Sequence, residues 1–173
     1  MIVGNGDIAS VLHDKEDWTY FASGVSNSRE DKAEAFQREK DLLMEQEREK
    51  HLVYFGSLAV FYSETPYTTH KLEMEELIKE EFEKYSIMRI GNITWGTNPN
   101  TLINYFRQRI EKGEPYEVRD EFRYIIDKDE FLYWVDLLPD WSCETAITGK
   151  KMTIKEIVDE YCYVGLHTKK VRP

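Results

Sequence analysis

The sequence predicts an α/β protein with a mainly parallel sheet, and three observations lead there. Short apolar runs alternate with stretches of helical period along the chain. The first run, Met1-Ile2-Val3, passes directly into a Gly4-x-Gly6-x-x-Ala9 turn. A later run, Leu52 to Phe55, ends at Gly56-Ser57 and leads through a brief turn into a helix starting at Pro66. Parallel neighbours need crossovers, and this alternation supplies them.

The elements follow in order. After the first turn, residues to about His13 suit a short helix, and Trp18 to Ala22 reads as a second strand. From Glu30 to Lys50 the chain is charged and free of Gly and Pro. Ala33, Phe36, Leu43 and Met44 give that stretch a thin apolar stripe, so it reads as a helix with one buried edge. Thr65 can cap the next helix, with Pro66 at its first position. Met74, Leu77, Ile78, Phe82 and Tyr85 form its inward stripe. A strand is expected from Ile87 to Ile93, then a helix opened by Asn98-Pro99 and closed by Gly113. Tyr116 to Ile126 reads as extended, and Glu130 to Leu138 as a short helix stopped by Pro139. Thr153 and Glu156 have capping-box spacing for a last long helix, followed by a basic stretch over 165–173.

At 173 residues the expectation is one domain over 1–173, with a small C-terminal extension from about residue 114. Lys plus Arg number 23 and Asp plus Glu 33, for a formal charge of −10. That balance disfavours nucleic acid or an anionic membrane as a general partner. No apolar run approaches the ~20 residues that span a bilayer, and no signal peptide is seen. Cys143 and Cys162 read as two reduced thiols, so a cytoplasmic protein is expected. His51 and His70 have no partner at ligand spacing, so no metal is expected.

Ser57, Tyr67 and Lys71 carry the chemistry. A tyrosine and a lysine four positions apart on a helix share one face, and a serine ending the preceding strand can point at the same place. Such a trio can move a proton on and off an alcohol or sugar oxygen. A second Tyr-x-x-x-Lys match, Tyr124 to Lys128, reads as incidental. The bland reading of the trio is a half-buried ring, a surface lysine and a strand-end serine.

The segment resembles the short-chain dehydrogenase/reductase family in its extended branch, which modifies nucleotide sugars. A strand-end serine precedes Tyr-x-x-x-Lys, flanked by Ala59-Val60-Phe61-Tyr62 and the acidic helix Lys71 to Leu77. Met88-Arg89-Ile90-Gly91-Asn92-Ile93-Thr94-Trp95-Gly96 is similar to that branch's strand and loop after the catalytic helix. Asp127 to Asp136 is similar to its late segment, and Thr148-Gly149 with Met152 to Ile157 to its final helix start.

The resemblance implies a Rossmann-like sheet with helices on both faces and an NAD or NADP cofactor. It implies an oxidoreductase or epimerase activity on a nucleotide-linked sugar. Tyr67 would be the general acid/base, Lys71 would lower its pKa from near ~10 and hold ribose hydroxyls, and Ser57 would align the reacting oxygen. Gly4, Gly6, Asp7, Ile8, Ala22, Ser23, Gly24 and Lys71 would line the cofactor, and Asn92 the substrate. It also implies a homodimer packed through helices 30–50 and 66–84.

One departure accompanies it. No acid ends the Trp18 strand, where a dinucleotide fold places one for the adenosine ribose. Either this is the usual second strand, with Asn27, Ser28 and Arg29 suited to a 2′-phosphate, or it is the family's fourth strand and the second and third are missing. The competing function is a degenerate relative that binds a sugar nucleotide or a partner protein without redox turnover.

Overall fold

The computed structural model describes residues 1–163. In chain order the elements are β1 (Ile2–Val3), β2 (Trp18–Phe21), α1 (Ala33–Met44), β3 (His51–Ser57), α2 (Pro66–Glu81), β4 (Tyr85–Ile90) and β5 (Asn92–Ile93). There follow α3 (Leu102–Lys112), β6 (Phe122–Ile126), α4 (Lys128–Asp136), β7 (Cys143–Ile147), β8 (Lys150–Thr153) and α5 (Ile154–Ile157). Five strands form one parallel sheet in the order β1-β2-β3-β4-β7. A second sheet runs β5-β6-β8, parallel then antiparallel.

The expected α/β class, with helices on both faces of a mainly parallel sheet, is what the chain adopts. Alternation along each strand sends side chains to opposite faces. Leu52, Tyr54 and Ile87 meet Leu43 of α1 with Met74 and Ile78 of α2. Val53 and Met88 meet Phe131 and Val135 of α4 on the other face. A third cluster joins Ile103 and Phe106 of α3 to Ile125, Met152 and Ile157 around the second sheet. The described part of the expected extension, 114–163, is divided: β6 and β8 belong to the second sheet, while β7 returns to the edge of the first.

β2 lies between β1 and β3. That is the fourth-strand reading; a usual second strand would lie on the outer side of β1. Among the described residues no strand occupies that side.

Several boundaries differ from the sequence expectation. The helix expected over Glu30–Lys50 is confined to Ala33–Met44. The Arg48 guanidinium folds back onto the carbonyls of Leu43, Gln46 and Met44, which ends the helix early. The strand expected over Ile87–Ile93 is two strands, because the chain crosses from one sheet to the other at Gly91. A Cβ there would lie 2.5 Å from the Tyr124 carbonyl oxygen. The extended stretch from Tyr116 is a strand only from Phe122. The last long helix is, as far as described, Ile154–Ile157 continued by a π-helical turn over Val158–Cys162. Its capping box is present, with Thr153 and Glu156 each accepting the other's backbone N–H. The basic stretch 165–173 lies outside the described residues. β7 and β8 had no element in the sequence reading; both are short, and each has a single buried residue, Ile147 and Met152.

Candidate active site

The site begins where β3 ends. Ser57 is in extended conformation, and its Oγ accepts the Ala59 N–H at 3.2 Å, capping a 3-10 turn over Leu58–Phe61. A hydroxyl that accepts in this way still has its own proton to donate. α2 then starts as expected: Thr65 caps it, Pro66 is its first residue, and Thr65 and Thr68 form a reciprocal box. Tyr67 and Lys71 follow on successive turns, 8% and 2% exposed. The Lys71 Nζ lies 5.7 Å from the Tyr67 ring centroid. The pair therefore faces inward together, on the side of α2 that meets the sheet.

The centre of the site is a residue outside the sequence-predicted set, Glu39 of α1, whose side chain is wholly buried. A carboxylate offers about four lone-pair sites, and here four donors fill them. Oε1 accepts from the Tyr54 hydroxyl at 3.0 Å and from Lys71 Nζ at 3.0 Å. Oε2 accepts from the Val25 N–H at 2.7 Å and from His70 Nε2 at 2.9 Å. Lys71 also donates to the Tyr54 hydroxyl oxygen at 3.0 Å. Burial is the strongest single influence on Glu39 and opposes its ionisation. The Lys71 charge and the bonds from His70, Val25 and Lys71 together outweigh it, so the carboxyl is pulled down to about 2. Tyr54 is pushed well above the usual range, first by burial and then by the Glu39 charge.

Gly24 lets the loop after β2 close on this pair. A Cβ at that position would stand 2.7 Å from both Glu39 Oε1 and Lys71 Nζ. Glu39 had a signal in the sequence: it is three residues from Phe36 and four from Leu43, an acid on the buried stripe of its helix. His70 and Tyr54 carried none beyond adjacency to Lys71 and to the Ser57 strand. Beside the site, Glu75 is buried and held by the Nε and Nη2 groups of Arg89, which also reaches Glu144 on β7.

The first turn packs against the carboxyl end of the sheet. Gly4 has φ +122°, and a Cβ there would meet the Ala22 carbonyl oxygen at 2.6 Å, so the turn lies directly on the end of β2. Asp7 is engaged elsewhere: its carboxylate accepts the N–H groups of Thr97 and Asn98 at 2.9 and 3.0 Å, and its carbonyl accepts Trp95 Nε1. Ile8 and Ala22 pack against the core on the α4 side. Ser23 and Gly24 continue from β2 onto the Glu39–Lys71 pair. Asn92 sits on β5, its side-chain amide donating to the Tyr124 carbonyl at 3.2 Å. The incidental match divides between elements, Tyr124 on β6 and Lys128 on α4, and is no helical pair. Among the described residues no group of three or more His, Cys, Asp or Glu could hold a metal ion. No described helix is long and apolar enough to cross a membrane.

No family model matches the chain, and no curated protein does. Solved structures do. The Bordetella bronchiseptica enzyme WbmG, in complex with NAD and UDP, superposes with a TM-score of 0.65 at 18% identity, covering 86% of this chain and 56% of that one. UDP-glucuronic acid 4-epimerase from Bacillus cereus, with UDP-glucuronic acid and NAD, gives 0.65 at 15% identity, covering 83% and 57%. UDP-glucose 4-epimerase from Thermus thermophilus, with NAD, gives 0.61 at 16% identity, covering 83% and 60%. The chain thus shares the Rossmann-like fold of these structures. It spans less than two thirds of the length of these structures, 56% of WbmG.

Proposed function

We propose that this chain acts on a nucleotide-linked sugar in NAD- or NADP-dependent oxidation, reduction or epimerisation. The observation that carries the reading is the placement of Tyr67 and Lys71, paired on the inner face of α2 immediately after the Ser57 end of β3. Tyr67 exchanges the proton of the sugar hydroxyl, Ser57 orients that oxygen, and Lys71 supplies the positive end of the site. When bound, the nicotinamide supplies the hydride chemistry. Its ribose would meet Lys71, which keeps one N–H beyond those given to Glu39 and Tyr54. The pyrophosphate would pass the Gly4–Asp7 turn, where nothing lies within 4 Å of a Cβ placed on Gly6. Asn92 would contact the sugar.

The residues present fit the nicotinamide end. The adenosine end is different, because dinucleotides lie where strand order reverses, and here every described neighbour of β1 is on one side. The expected result of titrating NADH by calorimetry or nicotinamide fluorescence is saturable binding, weaker than in the longer enzymes. A folded protein with no detectable binding at millimolar NADH would remove the oxidoreductase reading.

One observation favours a second reading, a relative that binds a sugar nucleotide or a partner protein without redox turnover. Lys71 is nearly sealed from solvent, its side chain 3% exposed and already bonded to Glu39 and Tyr54. Binding of a UDP-sugar in the absence of any NADH binding would select it. Under either reading we place the chain in a homodimer through α1 and α2, whose outer faces carry exposed Met44 and Leu72. Light scattering at micromolar concentration should give twice the chain mass, and a monomer would overturn the placement.

A further inference from the structure

We propose that Glu39 is a positioning residue that acts through Lys71: it balances the lysine's charge within the site and so sets the pH at which Tyr67 gives up its proton. The inference rests on the proposed role of Tyr67, and it adds a residue that touches neither substrate nor cofactor.

The geometry carries it. Lys71 is the cation beside Tyr67, with Nζ 5.7 Å from the ring centroid. That same Nζ is 3.0 Å from Glu39 Oε1, and neither side chain has appreciable contact with water. An ammonium and a carboxylate this close, in a place that water does not screen, act on a third group as a dipole and not as a free charge. The remaining groups around Tyr67 do not restore a positive excess: Arg123, over the Tyr62 ring, is paired with Glu121. Tyr54 approaches from β3 and Tyr62 from the end of the 3-10 turn, and both are neutral phenols held above their ordinary range, chiefly by burial. His70, on α2, turns its Nε2 to Glu39 of α1. Glu75, also on α2, is matched by Arg89 from β4.

Glu39 is also held too firmly to move aside. It accepts from the loop after β2, from β3 and twice from α2, and Gly24 closes over it. A ligand that reaches Lys71 therefore meets a lysine whose charge is already answered.

The test is a tyrosinate titration, read as the ultraviolet difference spectrum between each protein and its Tyr67→Phe counterpart. It needs no cofactor or turnover. In Glu39→Gln the site gains one net positive charge, and the Tyr67 signal should move about one pH unit or more toward acid. In the double variant Glu39→Gln/Lys71→Met both charges are gone, and the signal should return to its position in the parent protein. The double variant also covers the case in which the single one fails to fold, since removing both partners of a buried pair is tolerated far better than removing one.

An unmoved signal in folded Glu39→Gln would overturn the inference. So would a double variant displaced toward alkaline pH, because Lys71 would then have been acting on Tyr67 unopposed. If NADH turnover is found, its acid limb should move with the titration. If no turnover exists in any variant, the enzyme reading fails, while the titration still decides the role of Glu39.

Discussion

Lys71→Met is expected to destabilise the protein by about 3–5 kcal/mol, because it leaves the Glu39 carboxylate buried without its cation. Chemical denaturation at neutral pH reads this directly, as a lower midpoint with an unchanged slope. Glu39→Gln/Lys71→Met should recover most of the loss. The pH dependence gives a second signature. Glu39 is depressed from its ordinary value of 4.5 to about 2 in the folded chain. Its stabilising contribution is therefore complete above about pH 4.5 and is lost as the pH falls through about 2. In Lys71→Met that depression is removed, so the single variant should lose less relative to the parent at pH 3 than at pH 7. An equal loss at both pH values would mean that Lys71 contributes packing and not charge.

Tyr67→Phe is expected to abolish turnover, a loss on the order of 10²–10⁴-fold or greater, while leaving NADH affinity nearly unchanged. The ring stays in place, so α2 keeps its packing and only the phenolic hydroxyl is removed. Steady-state kinetics with a UDP-sugar, run beside an NADH titration, separates the two quantities. Retained turnover would remove Tyr67 from its role. A parallel collapse of binding would show that the hydroxyl holds the ligand.

The parts of this fold set by local rules were legible in the sequence. Thr65-Pro66 opens α2, Gly113 closes α3 with φ +65°, and the alternation of apolar runs with helical stretches implied a parallel sheet. The shared inner face of Tyr67 and Lys71 was legible because four residues along one helix is a local spacing too. What escaped was non-local. Glu39 is 32 residues from Lys71 and 15 from Tyr54, and nothing in either neighbourhood announces the contact. β7 pairs with β4 across 57 residues, and its exposed, polar positions lack the apolar alternation of a core strand. The place where α1 stops depends on Arg48 reaching back over carbonyls that already sit in a helix, which is a property of the folded turn. Asp7 belonged by position to a phosphate-facing turn, yet its carboxylate answers two amides some ninety residues away.

The saturation of Glu39 has a consequence for how this chain can drift. Four donors share one acceptor group, so changing any one of Tyr54, His70 or Lys71 leaves a lone pair or a charge stranded, and changing Glu39 strands all of them. The cost of each change depends on whether the others have already been made, as it does for any set of groups bound to one another. A lineage leaving this arrangement would have to pass through a poorly stable intermediate or replace several positions nearly at once. Glutamate, tyrosine, histidine and lysine at positions 39, 54, 70 and 71 therefore form one energetically coupled unit, and substitutions within the quartet should be strongly non-additive.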